Sequence, residues 1–159
     1  MSPSLTGSLQ PLALPMSNRE SFRVGLRQDA IVAEIPRLRR YARALLGGGS
    51  ESDDLVQDTL ERGLAHVGQW TSGDNPRKWL FSILHNLHID RLRQGARRPM
   101  HLGLDALSFS QSTPPADAMS TNELAQALHQ IPVDQRQVLL LVGVEGFSYA
   151  EAASILGVP

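Results

Sequence analysis

The chain has 159 residues, a 42% hydrophobic share and a formal net charge of −1, enough for one domain or two small ones. It has no cysteine, which excludes a disulfide framework, a thiolate zinc site and a cysteine nucleophile. No apolar run is long enough to span a bilayer, and the Ser-, Pro- and Leu-rich start lacks the basic patch of a signal peptide, so no membrane insertion and a cytoplasmic location are expected.

Residues 1–24 read as a disordered leader, with Met16 an alternative start to Met1. Ile31, Ile35, Leu38, Ala42 and Leu45 then recur at helical steps and end at Gly47-Gly48-Gly49. Pro36 within that pattern predicts a kink or a fresh start. A second helix opens at Ser50, with Val56, Leu60, Leu64 and Val67 as its predicted buried face. After the loop "GQWTSGDN", Pro76 sits where a first helical residue tolerates proline, and Leu80, Ile83, Leu84 and Leu87 form the next apolar stripe.

The pattern fails from about Gly95 to Met119, where Gly, Pro and Ser predict a linker. Ser120 with Glu123 is a capping box for a helix carrying Leu124, Leu128 and Ile131 inward. Pro132 restarts the chain into "VDQRQVLLLVGV", a buried helix. Ser148 and Glu151 make another capping box, followed by Ala152, Ala153, Ile155 and Leu156 and the stop residue Gly157. This is the first half of a helix-turn-helix, whose second helix would begin just past Pro159, so the end reads as a fragment or a premature stop. With no alternating run to indicate a sheet, the fold class is all-α. Two small helical domains, 25–98 and 119–159, are expected on either side of a flexible linker, 99–118, the second domain an incomplete helix-turn-helix. Ile155, Leu156 and Val138 should then be under-buried, and that domain marginal.

The near-zero net charge hides separated patches. Glu51, Asp53, Asp54, Asp58 and Glu61 fall in one stretch with no base. Between Pro76 and Pro99 stand Arg77, Lys78, Arg91, Arg93, Arg97 and Arg98 against Asp90 alone. Such segregation suits two different partners, one of them nucleic acid, although solvated helix faces would explain either patch alone. Asp54, Gln57, Asp58 and Glu61 share a face by helical spacing and suit a basic groove on another protein. Lys78, Ser82, Asn86 and Arg93 share a face of the next helix, where cations neutralise phosphates and Asn and Ser offer hydrogen bonds. Arg97 and Arg98 extend that strip, and the loop before it carries Trp70, an aromatic suited to holding an unstacked base, unless it and Trp79 simply pack the core.

Taken in series, "SESDDLVQDTLERGL", "NPRKWLFSILHNLHIDRLRQ" and "IPVDQRQVLLLVGVEGFSYAEAASILGVP" resemble the group IV, or extracytoplasmic-function, sigma factors of bacterial RNA polymerase, over roughly residues 25–98 and 118–159. The resemblance implies that Asp54, Gln57, Asp58 and Glu61 dock on the clamp helices of the polymerase largest subunit. It implies that the next helix and its loop recognise and melt the minus-ten promoter element. Arg77, Lys78, Ser82 and Asn86 match that helix, Trp70, Ser72, Asp74 and Asn75 match the loop by position, and Arg93, Arg97 and Arg98 would contact backbone phosphates. Ser148, Tyr149 and Glu151 open the supporting helix of the partial helix-turn-helix. An anti-sigma partner is implied, and no covalent chemistry, metal or cofactor. A sigma-like decoy that only sequesters an anti-sigma protein is the alternative. A metalloenzyme built on His85 and His88 lacks a third ligand, and "GGGS" at Gly47–Ser50 lacks the strand and lysine of a phosphate-binding loop.

Overall fold

The computed structural model describes residues 16–70, 73–97 and 121–159. The helices are α1 (Met16–Ala33), α2 (Ile35–Leu46), α3 (Ser50–Ala65), α4 (Pro76–Arg97), α5 (Thr121–Gln130), α6 (Val133–Leu139) and α7 (Tyr149–Leu156). A π-helical turn over Leu140–Val144 continues α6, and among the described residues there is no strand. Helices α1–α4 form one unit and α5–α7 a second. The linker 99–118 and Ser120 lie outside the described residues.

Local chemistry sets most boundaries. Pro36 has no N–H to give, so it occupies the first turn of α2, after a cap at Glu34 whose carbonyl accepts from Leu38 N at 3.0 Å. Gly47 ends α2 with φ 86°, its N–H donating to Arg43 O at 2.8 Å. A Cβ there would lie 2.8 Å from His129 Nε2, so both backbone conformation and a close neighbour require glycine. Before α4, Asn75 Oδ1 accepts the Arg77 backbone N–H at 3.0 Å and caps the helix that Pro76 begins. The Ser148–Glu151 capping box forms as expected. Glu151 N–H donates to Ser148 Oγ at 3.2 Å and Ser148 N–H to Glu151 Oε2 at 2.8 Å.

Packing corrects three expectations. First, α1 begins at Met16, inside the segment read as leader; Val24 and the buried Ile31 anchor it against the apolar core, and Arg27 Nη1 donates to Val67 O at 3.3 Å. Residues 1–15 lie outside the described residues. Second, the buried stripe of α3 is Ser52, Leu55, Val56, Thr59 and Gly63, while Leu60 is half-buried and Leu64 is exposed. Ser52 and Thr59 can enter the core because their hydroxyls donate to Gly49 O and Leu55 O at 2.8 and 2.7 Å. Gly63 allows Leu80 to approach so closely that a Cβ would meet its Cδ2 at 3.0 Å.

Third, Ile155 is fully buried, because α7 packs on α4. Leu156 is half-buried and Val138 is 37% exposed, on an open groove of about 510 Å³ lined with Leu139, Val142 and Tyr149. One continuous apolar cluster runs from Ile31, Leu38, Tyr41, Leu80, Phe81 and Leu84 into Leu140, Leu141, Phe147 and Ile155. The second unit is therefore buried against the first, and its core does not end at its own helices.

Candidate nucleic-acid interface

The acidic face of α3 stands in solvent. Asp54, Gln57, Asp58 and Glu61 are all exposed, opposite the buried stripe. Gln57 Nε2 donates to Glu61 Oε1 at 3.1 Å, and Asp58 pairs with Arg91 of α4 at 2.5 Å. Asp53 pairs with Arg43 at 3.6 Å, so internal cations hold part of this acidic turn in place. At such exposure each pair contributes little to stability but orients the carboxylates.

The cationic face lies on α4. Lys78 and Ser82 are half-buried, and Asn86 and Arg93 are exposed. Ser82 Oγ bonds back to Lys78 O at 3.0 Å, which aligns it along the helix and leaves its oxygen able to accept. The start of α7 crosses the start of α4: Glu151 is held below the usual carboxylate range first by the Ser148 N–H and hydroxyl, and further by Lys78 and Arg77. The cationic face is therefore covered near Arg77, whereas its Asn86 and Arg93 are open. Ser72 and Arg98 lie outside the described residues, as does the Arg97 side chain.

Trp70 and Asn75 of the loop are engaged within the fold. Trp70 is only 8% exposed, stacks on Trp79 with centroids 6.1 Å apart, and donates its Nε1–H to Asp74 O at 3.0 Å. It therefore shapes the loop and does not offer a free stacking face, and Asn75 is occupied as the α4 cap. Arg77 is also redirected. Its guanidinium carbon lies 4.3 Å from the Phe147 ring centroid and its Nη2 3.7 Å from Glu145, both on the second unit.

A family model described as the Sigma2 domain of PhyR matches residues 31–85, and one described as Sigma-70, region 4, matches residues 121–159. The ECF RNA polymerase sigma factor EcfG of Rhodopseudomonas palustris (strain TIE-1) is 40% identical over 131 residues, 82% of this chain and 72% of that protein. The chain belongs to the extracytoplasmic-function sigma factors. SigM of Mycobacterium tuberculosis (strain ATCC 25618 / H37Rv) is 29% identical over 121 residues, 76% of this chain and 61% of that protein. The chain thus spans about two thirds of the length of these relatives. The solved structure of the sigma factor RpoE in complex with the anti-sigma factor NepR from Bartonella quintana matches with a TM-score of 0.66 and 30% identity, covering 81% of each chain.

In this sigma factor the residues that join the two units carry no local signal. Arg136 is 6% exposed and donates to Leu128 O, Leu45 O, His129 O and Ile131 O at 2.7 to 2.9 Å. Glu145 is fully covered and held by Arg40 of α2. As the lone base after Pro99, Arg136 is conspicuous in the sequence, but its acceptors, four carbonyls and His129 Nδ1 at 3.3 Å, are brought together only by folding.

The same contact buries histidines. His88 is 3% exposed and its pKa is pushed down to about 4, first by burial and then by His85, Arg91 and Arg136. Burial also lowers His85, against the pull of Asp134. Because the folded value lies below the unfolded one of 6.5, the unfolded chain binds more protons between the two. The stability is present above about pH 6.5 and is lost as pH falls through about 4. Acidification from pH 7 to pH 5 is expected to remove about 2 kcal/mol, read as a lowered urea midpoint, and His88→Gln should flatten that dependence.

Proposed function

We propose that this chain is the promoter-specificity subunit of a bacterial RNA polymerase, docking through α3 and opening promoter DNA with α4. The observation that carries this reading is that one helical unit presents an exposed acidic face, Asp54 to Glu61, and a separate cationic row, Lys78 to Arg93. The acidic face suits the clamp helices of the largest subunit, and the cationic row suits the phosphates of a melted strand. Ser82 and Asn86 supply polar groups beside those cations for reading base edges. The protein performs no covalent step: docking and phosphate contacts offset the few kcal/mol of unstacking a base. Cytoplasmic action fits this role, and among the described residues no helix is long and apolar enough to cross a membrane.

An anti-sigma protein is the proposed second partner, since RpoE of Bartonella quintana was solved in complex with one. The alternative reading, a decoy that binds an anti-sigma protein and never meets promoters, is not better supported by these similarities. A decoy has no use for Asn86 and Arg93 open on one face.

Heparin-resistant complexes of the chain and its cognate core polymerase on genomic promoter fragments test the proposal. The chain should select fragments that core polymerase alone does not retain, and unchanged selection would remove the reading. Asp54 is exposed and outside the ion pairs of Asp53 and Asp58. Asp54→Lys should weaken core-polymerase binding about tenfold, or about 1.4 kcal/mol, in a titration that leaves the circular dichroism spectrum unchanged.

A further inference from the structure

The contact between the units has the form of a ligand in a cleft. Arg40 grips the Glu145 carboxylate with two hydrogen bonds, Nε to Oε1 at 3.0 Å and Nη2 to Oε2 at 2.9 Å. Arg77 approaches the same carboxylate and covers the face of the Phe147 ring. Phe147 meets Phe81 edge-on at 5.2 Å, and Phe81 meets Tyr41 in the same way at 5.2 Å. Two arginines over an aromatic floor thus receive a carboxylate and, two residues later, a ring.

The backbone delivers both groups. The π turn lets Glu145 N bond Leu140 O at 2.9 Å and Phe147 N bond Leu141 O at 3.0 Å. Gly146, at φ 72°, makes the left-handed step between them.

We propose that Glu145-Gly146-Phe147 is a removable plug for this cleft and that it competes with promoter DNA for Arg77. The competition rests on the reading of α4 as the promoter-facing helix; the plug itself does not. Arg77 Nε and Nη2 are buried without a hydrogen-bond partner, so the closed contact leaves donors unused that a phosphate would engage. Arg40 is 54% exposed at its side chain, so water can hydrate its guanidinium when the Glu145 carboxylate leaves. The Arg77 donors are buried in the closed contact with Glu145 and Phe147, so a phosphate reaches them only when the plug leaves. The acidic face of α3 stays exposed while the plug is seated, so docking on polymerase does not need opening, whereas full use of α4 does.

The chain has no cysteine, so single cysteines at the exposed Gln69 and Gln126 would take a dye pair that reports the separation of the units. Glu145→Gln, which keeps side-chain volume, and Glu145→Gln with Phe147→Leu should widen that separation. Both variants should bind a short mixed-sequence single-stranded oligonucleotide about fivefold tighter, with a salt slope steeper by about one. Adding Arg77→Glu should cancel the gain in affinity without restoring closure. Adding the oligonucleotide to the labelled chain with no further substitution should also widen the separation, since coupling is reciprocal, and this arm needs no destabilising change. Unchanged separation in the variants, or oligonucleotide binding that leaves the separation unchanged, would overturn the proposal. Opening with unchanged affinity would overturn the competition. Opening with no oligonucleotide bound by any form would remove the promoter-facing reading of α4 as well, so the two failures are distinguishable.

Discussion

Arg136→Ala should cost about 4 kcal/mol of stability, because a buried charged network is lost and its acceptors are left unpaired. The guanidinium serves four backbone carbonyls at once, at Leu128, His129 and Ile131 in its own unit and at Leu45 across the contact. A buried carbonyl left unpaired, as Leu45 O would be, loses its hydration without replacement. Those of His129 and Ile131 lie where α5 ends, so the α5–α6 corner should loosen together with the inter-unit contact. Urea unfolding followed by circular dichroism measures the loss. Arg136→Lys should recover less than half of it, since a single ammonium has three donors and no planar fork to span acceptors on two units. A loss under about 1 kcal/mol would show that water takes over these carbonyls and that the guanidinium is not the joint described.

Lys78→Glu combined with Arg93→Glu should lower promoter affinity of the assembled polymerase about a hundredfold and reduce its salt slope by about two. These residues lie on α4 toward opposite ends of the cationic row, and neither lies on the α3 face proposed to dock on polymerase. Core-polymerase binding should therefore stay within about twofold, and binding to an anti-sigma protein should survive. Filter binding of promoter DNA at several salt concentrations separates the outcomes. A reduced affinity with an unchanged slope would mean that these cations act through folding and do not neutralise phosphates. Intact affinity with intact slope would move the DNA path off α4 altogether.

Apart from the start of α1, the element boundaries were legible because their signals are local. Pro36, Pro76 and Pro132 act through a missing N–H, Gly47 and Gly157 through a left-handed step, and Ser148 with Glu151 through bonds three residues apart. The acidic row of α3 was legible for the same reason, since spacing alone places Asp54, Gln57, Asp58 and Glu61 together. The buried side of α3 was not. Counting apolar residues selects Leu60 and Leu64, whereas the fold buries Ser52 and Thr59, whose hydroxyls are satisfied by carbonyls of their own turns.

Residues chosen by type and position were redirected where a distant group arrived. Trp70 reads as a base platform until Trp79 covers it, and Arg77 reads as part of the minus-ten-facing helix until it stacks over Phe147.

Composition and spacing alone set the all-α class, the order of the helices after α1 and the segregation of acid from base, while three stretches of residues in series carried the family resemblance. The joint between the units was settled only by folding. Arg40 meets Glu145 across 105 residues of chain, and Arg136 meets the Leu45 carbonyl across 91. Helical periodicity reports neighbours three and four residues apart, so it is blind to pairs at such separation. Their meeting depends on how whole apolar faces seat against each other, and that is a property of the packed core.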